Sequence, residues 1–410
     1  MAIAAAKRPR ATLVAATCVI AFLPIYWTPQ LPGLPTTSAV LICLPLAVIA
    51  LGLPGKAPLS SVDALVFALL MWQLFTFQQN FHALRHQTLP ALISAAAPFL
   101  MMRGMARTAA LRRAFLSAVV GCGVALSVLA IQERQTGVNF FQTIKSNGYL
   151  STVWAIPYTR NGVPRAAGSF GQPLLLSLFL AAGALIIVMR VVDAKRLRVR
   201  EGLGLLALLS GISATGGRLA LGVIALGSAL YVMRRPAHYV AGAIAGAALV
   251  SFASPLLLSF VSGEDAASQD SASYRGKLFS ALSDPHNFSV QGLLRTDPFN
   301  ASGFIRDFNG SVDNEFLLRL LQSGLPELLL MLALLVVVTR DMLLGLPGPD
   351  RQLGVLSVVA FLSLLFVALL LQQGTFFWMF LGGLAGANRA PGRLSPVEGE
   401  PHKQKELVSV

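Results

Sequence analysis

Long apolar runs alternate with short polar breaks along nearly the whole chain. A helix of about 20 apolar residues crosses a hydrocarbon layer about 30 Å thick, and most of the runs reach or approach that length. The pattern predicts about twelve helical spans. The first six are Ala11–Trp27, Thr36–Leu53, Val62–Phe77, Leu89–Met102, Phe115–Ile131 and Leu174–Val191. The others are Leu203–Ser213, Leu219–Met233, Tyr239–Phe260, Leu325–Val338, Leu353–Leu371 and Thr375–Ala387. Leu203–Ser213 is the weakest, too short to cross unless it runs on into Gly216. Two polar stretches interrupt the rhythm. The expected organisation is therefore N-terminal membrane helices over 1–131, a first long outer loop over 132–172 and central helices over 173–260. A large outer loop over 261–324 ends in an amphipathic segment, C-terminal helices fill 325–387, and 388–410 is a disordered Pro- and charge-rich tail. The expected fold class is all-α, a polytopic integral membrane protein.

Composition agrees. Of 410 residues, 55% are hydrophobic and only 12% charged, and the mean hydropathy is +0.68. A soluble domain carries about twice that charged fraction. The net charge of +14 does not point to nucleic acid, because the cations are dispersed between apolar runs rather than gathered in a basic domain. About two thirds of the 32 lysines and arginines fall at the termini or in loops that follow even-numbered spans. Examples are Arg103, Arg107, Arg112 and Arg113, and then Arg190, Lys195, Arg196, Arg198 and Arg200. That bias puts those loops and both termini in the cytoplasm. Lys7, Arg8 and Arg10 before Ala11–Trp27 resemble a signal peptide, but no small-x-small site follows, so an uncleaved first helix is expected. Cys18, Cys43 and Cys122 lie inside apolar runs without metal-ligand spacing, so neither a metal, a disulfide nor a cofactor is expected.

The arginines left on the outer side are the candidates for chemistry. Arg160 and Arg165 stand just before a helix, within Arg165-Ala166-Ala167-Gly168-Ser169-Phe170-Gly171-Gln172-Pro173. Glycines there let backbone approach a ligand, and the free N–H groups of the following helix favour an anion. Arginine's planar fork can hold phosphate oxygens. Snorkelling to lipid headgroups is the alternative. Thr215-Gly216-Gly217-Arg218 places a second arginine at a tight turn between apolar helices, with the same two readings. The third constellation is Asp313-Asn314-Glu315-Phe316-Leu317-Leu318-Arg319, leading to Gly324. Asp313 reads either as a helix cap or as a carboxylate that takes a proton from an acceptor hydroxyl. Glu315 and Arg319, four apart, read as an ordinary surface pair. Glu327 reads as protonated or paired with a polar group. Arg275 could add a phosphate contact, and His286 reads as solvated.

In order and context these three elements resemble the bacterial O-antigen ligase and O-antigen/exopolysaccharide polymerase superfamily. The resemblance covers roughly Arg160 to Val338. It rests on an Arg-x-x-Gly-x-Phe-x-x-Pro element, a Thr-x-Ser-Arg element (here with Gly217 in place of serine) and an Asp-Asn pair before an amphipathic segment. Ligases of the family resemble one another in using histidine at the pair, so Asp313 favours a polymerase. The resemblance implies a metal-independent glycosyltransferase of the inner membrane, acting at its periplasmic face on an oligosaccharide linked to undecaprenyl pyrophosphate. Membrane lipids are further partners, and the family leaves room for a chain-length regulator or export partner. By this analogy Arg165 and Arg218 contact the pyrophosphate, Arg160 and Arg275 assist, Asp313 handles the acceptor hydroxyl, and Thr215 and Asn314 bind substrate. A flippase or transporter of the same lipid-linked glycan is the rival from another class. It predicts ionisable residues at mid-membrane depth and repeated halves.

Overall fold

The computed structural model describes residues 8–24, 27, 30–31, 34–35, 38–53, 58–77, 89–144, 157–160, 162–233, 290, 292, 314–344, 348–367 and 371–387. These residues are mostly helical. The helices are α1 (Pro9–Phe22), α2 (Ser38–Gly52), α3 (Ser61–Phe77), α4 (Leu89–Met105), α5 (Ala109–Thr136) and α6 (Pro173–Ala194). They continue with α7 (Val199–Thr215), α8 (Arg218–Val232), α9 (Glu315–Ser323), α10 (Leu325–Leu343), α11 (Gly348–Ser363) and α12 (Leu371–Gly386). Two small antiparallel hairpins accompany them: β1 (Gln30–Leu31) with β2 (Leu34–Pro35), and β3 (Tyr158–Arg160) with β4 (Val163–Arg165).

Among the described residues, α5 and α6 are long and apolar enough on their own to cross a membrane. Their 28 and 22 residues give lengths of about 42 and 33 Å. α6 is apolar all round and is buried without interruption from Leu175 to Ile187, as a central helix must be. It packs against α5, α7, α8, α11 and α12.

Helix ends sort into two groups. At one end the start of α3 meets the end of α4, where Arg103 Nε donates to Asp63 Oδ1 at 2.5 Å. Arg112 at the start of α5 grips Asp350 at the start of α11 through both carboxylate oxygens. Its Nη1 also donates to the Ala106 and Arg107 carbonyls beyond α4, at 2.9 and 3.0 Å. Late in α8, Tyr231 donates to Asp193 of α6 at 2.6 Å, and Arg351 lies over the Tyr231 ring. This is the arginine-rich end. At the opposite end, the Ala166 N–H donates to the Ala214 carbonyl late in α7, and Ser169 Oγ donates to the Ala21 carbonyl late in α1. The Glu315 N–H donates there to the Leu364 carbonyl just past α11.

Helices coincide with eleven of the expected spans, with shifted bounds, while Tyr239–Phe260 lies outside the described residues. Three differences have physical causes. The weak span at Leu203–Ser213 is a full helix, because Val199–Gly202 adds a polar first turn and Gly216, in the left-handed region at φ 65, closes it at the far end. The expected span Leu353–Leu371 is not one helix. α11 starts earlier, at Gly348, where Asp350 can reach Arg112, and it stops at Ser363. Tight turns then occupy 364–366, freeing the Leu364 carbonyl for Glu315. The helix expected to begin at Asp313 begins at Glu315. Its cap is Asn314, whose Oδ1 accepts the Leu317 N–H at 3.0 Å.

Small residues bring helices into backbone contact. A Cβ on Gly382 of α12 would stand 2.2 Å from the Phe99 carbonyl oxygen of α4. Gly382→Ala must therefore push the two helices apart, at a cost of about 1–3 kcal/mol. Thermal unfolding of the purified protein in detergent should show a clearly lower Tm, and an unchanged Tm would refute this contact.

Candidate functional site

The segment Arg165–Pro173 crosses the end of the bundle opposite the arginine-rich end. It starts from the β3–β4 hairpin, whose register pairs Arg160 with Val163 and Tyr158 with Arg165. Gly162, at the turn between the two strands, has φ 74, and it follows Asn161 in sequence. Asn-Gly between extended segments is the strongest short hairpin signal there is. Burial pushes the Tyr158 hydroxyl above its usual pKa.

Beyond the hairpin, backbone groups find side-chain partners one by one. The Ala167 and Gly168 N–H groups donate to the two oxygens of Glu133, at 3.0 and 2.9 Å. Asn139 Nδ2 donates to the Gly168 carbonyl at 3.0 Å. Phe170 is buried against Phe179 and Phe376, and Pro173 opens α6. The segment is thereby fixed to α1, α5, α6, α7 and α12.

This anchoring carries Arg165 onto the α7–α8 turn. Its Nε donates to the Thr215 carbonyl at 2.8 Å, and it lies over Gly216, where an added Cβ would be 3.3 Å from that nitrogen. Arg134, late in α5, donates Nη1 to the Ser213 carbonyl at 3.0 Å. Two arginines thus face the C-terminal carbonyls of α7, a favourable place for cations. Thr215 is fully buried and builds the turn, since its hydroxyl donates to the Ile212 carbonyl and accepts the Gly217 N–H. Gly217 has no room for a side chain, because a Cβ there would be 2.3 Å from Ser177 Oγ. Arg218 is exposed at the first position of α8 and has no side-chain hydrogen bond or ion pair among the described residues. A cation in the first turn of a helix is electrostatically misplaced unless an anion joins it.

The first two constellations are therefore one site: Arg165 sits directly on the Thr215–Arg218 turn. The third builds a separate, buried group. Glu315 is 1% exposed, so it does not form the expected surface pair with Arg319. The reason is the break after α11, which draws Glu315 inward through its own N–H. Arg319 Nε donates to Glu315 Oε1 at 2.5 Å and Nη1 lies 3.5 Å from Glu327 Oε1. Gln73 of α3 donates to the same Glu327 oxygen. Burial disfavours the Arg319 charge, but the Glu315 and Glu327 carboxylates more than offset it and hold the guanidinium above its ordinary range. The start of α12 stands between the two groups. Phe376 faces Phe170 and Phe179, whereas Phe377 and Trp378 line a small cavity beside Arg319 and Glu327.

Asn314 is buried with its oxygen engaged as the α9 cap. Asp313, Arg275 and His286 lie outside the described residues, as does the side chain of Arg160. Glu133, Ser177 and Gln73 stand in no sequence motif that marks a site, and Arg134 is distinguished in the sequence only as one of the outer-side arginines. Glu133 and Arg134 carried one usable signal, a charged pair at the end of a long apolar run. Among the described residues, no group of three His, Cys, Asp or Glu side chains is placed to hold a metal ion. No family profile matches this chain, and neither does any curated protein sequence.

The tightness of the turn is testable. Gly217→Ala should cost about 1–3 kcal/mol of stability through its clash with Ser177, and Ser177→Gly in the same chain should restore part of it. A double variant no more stable than Gly217→Ala would show that the contact does not set the turn.

Proposed function

We propose that this protein is a polysaccharide polymerase, joining undecaprenyl-pyrophosphate-linked oligosaccharide units at the periplasmic face of the bacterial inner membrane. The observation that carries the reading is the seating of Arg165 on the Thr215–Arg218 turn, beside the open N-terminus of α8 and away from the arginine-rich end. In this reading the chain crosses the membrane about twelve times, with both termini cytoplasmic. Support comes from α8 finishing at the arginine-rich end and α9 starting at the other, the displacement that a span at Tyr239–Phe260 would supply.

The reaction needs little more than anion stabilisation and one base. An acceptor sugar hydroxyl attacks the anomeric carbon of the donor unit, the bond from that carbon to the pyrophosphate oxygen breaks, and the lipid diphosphate leaves. Arg165 and Arg218, with Arg160 and Arg275, would stabilise the departing charge. Asp313 would receive the hydroxyl proton. A site at one end of the bundle suits a donor whose lipid stays in the bilayer while its sugars project from it.

The charge distribution weighs against the transporter reading. Among the described residues, every charged side chain of the helices of 14 residues or more lies in the turns near a helix end, none at mid-length. Transfer to lipid A core, the ligase reaction, remains the nearest alternative within the same chemistry.

Arg218→Ala is the cleaner test, because Arg165 also holds a backbone carbonyl. Cells carrying Arg218→Ala should lose polymer with membrane abundance unchanged, and Arg218→Lys should retain a fraction of it. Wild-type polymer length in Arg218→Ala cells removes the residue from the site. A deletion strain should accumulate single-unit glycans, whereas long chains retained on the carrier would identify a ligase.

A further inference from the structure

At the arginine-rich end, α5, α6, α7 and α11 do not close on one another. They leave an open cleft of ≈ 1100 Å³. Its lining changes with depth. Arg113 of α5, Arg190 late in α6, and Arg198 and Arg200 around the start of α7 form the rim. Val120 and Val124 of α5, Ile187 of α6 and Leu203 of α7 form the wall beneath. From Arg113 to Val124 the helix rises about 16 Å, so a ligand filling the cleft meets cations first and hydrocarbon below.

Two carboxylates share the rim, and both are engaged by the fold. Asp193 accepts hydrogen bonds from Tyr231 at 2.6 Å and from Gln352 at 3.3 Å. Glu201 accepts the Arg198 backbone N–H at 3.1 Å and so closes the first turn of α7. Arg190 donates to Ser117 Oγ at 2.9 Å. The guanidinium groups of Arg113, Arg198 and Arg200 are exposed and have no hydrogen-bond or ion-pair partner among the described residues. The apolar wall also continues outward, since Leu203 and Leu206 on α7 are 62% and 63% exposed.

We propose that this cleft is a binding site for an anionic phospholipid, with its phosphate held by Arg113, Arg198 and Arg200 and an acyl chain laid along Val120, Val124 and Leu203. Guanidinium forks match phosphate oxygens in geometry and charge. A soluble phosphate would use the rim but leave the wall wet, whereas a phospholipid covers both. Basic pockets between helices on the cytoplasmic side, where anionic lipids concentrate, suit such headgroups. The inference rests on the membrane embedding of the chain and not on the glycan chemistry, so failure of the Arg218 test leaves it standing.

The test titrates the detergent-solubilised full-length protein with dioleoylphosphatidylglycerol, followed by native mass spectrometry. Parallel titrations use dioleoylphosphatidylcholine and inorganic phosphate. Phosphatidylglycerol should bind about tenfold more tightly than phosphatidylcholine, and Arg198→Gln/Arg200→Gln should remove about that factor. The unfolding temperature without lipid should stay unchanged, since these side chains are exposed. Arg113→Gln gives the same comparison from another helix should the double variant fold poorly. Equal binding of the two lipids, or unaltered phosphatidylglycerol affinity in the variants, overturns the proposal. Inorganic phosphate that displaces phosphatidylglycerol at comparable concentration also overturns it and makes the cleft a site for a soluble anion.

Discussion

The carboxylate of Glu133 is the interaction on which the candidate site depends. The Ala167 and Gly168 N–H groups belong to irregular chain buried among helices, where no solvent can replace a lost partner. A buried N–H without an acceptor costs about 1–3 kcal/mol, and in an apolar surround the requirement is close to absolute. Glu133 satisfies both with one group at the end of α5. Gly168 must adopt φ 55 to present its N–H there, and Gly171, at φ 74, turns the chain into α6. With that segment held, Ala166 can bond to Ala214 and Arg165 can reach Thr215. The position of the arginine is therefore a consequence of backbone accounting several residues away.

The two ends of the bundle use arginine differently. At the arginine-rich end, Arg112 and Asp350 neutralise each other, with side chains 6% and 8% exposed, and knit α4, α5 and α11 together. Taking away either partner of such a pair is expensive, about 3–5 kcal/mol, so this pair serves the fold. At the opposite end Arg134 and Arg165 bond to carbonyl dipoles, and Arg218 has no side-chain partner among the described residues. The Arg319 group follows the first mode, with a guanidinium shared between two carboxylates and an amide from α3 fixing the second of them.

Much of the helical framework was legible from hydropathy, because an apolar run of about that length has few other stable forms. What failed was local and had tertiary causes. The run from Leu353 to Leu371 has Gly354 near its start but no Gly or Pro near Ser363 to announce a break, and the break exists because Leu364 gives its carbonyl to a residue far away in sequence. An i,i+4 pair such as Glu315 and Arg319 looks the same on a solvated or a buried face. Asn161-Gly162 is a hairpin signal in the sequence, but it lies within a long polar stretch whose composition reads as loop. For the site, the order of the motifs was visible, whereas the contact of Arg165 with Thr215 was not. That contact requires knowing where α5 ends, and the end is marked only by Glu133 and Arg134.

The close approach of Gly382 to Phe99 has a consequence for how the protein is made. α4 packs on α12 as closely as on α2, yet α12 is the last helix described. Its groove must wait while the ribosome adds everything between Met105 and Leu371. At about 5–20 residues per second, that interval is on the order of a quarter to nearly a full minute. During it the backbone face around Phe99 is open to other occupants. Chains arrested before α12 therefore leave that face of α4 uncovered.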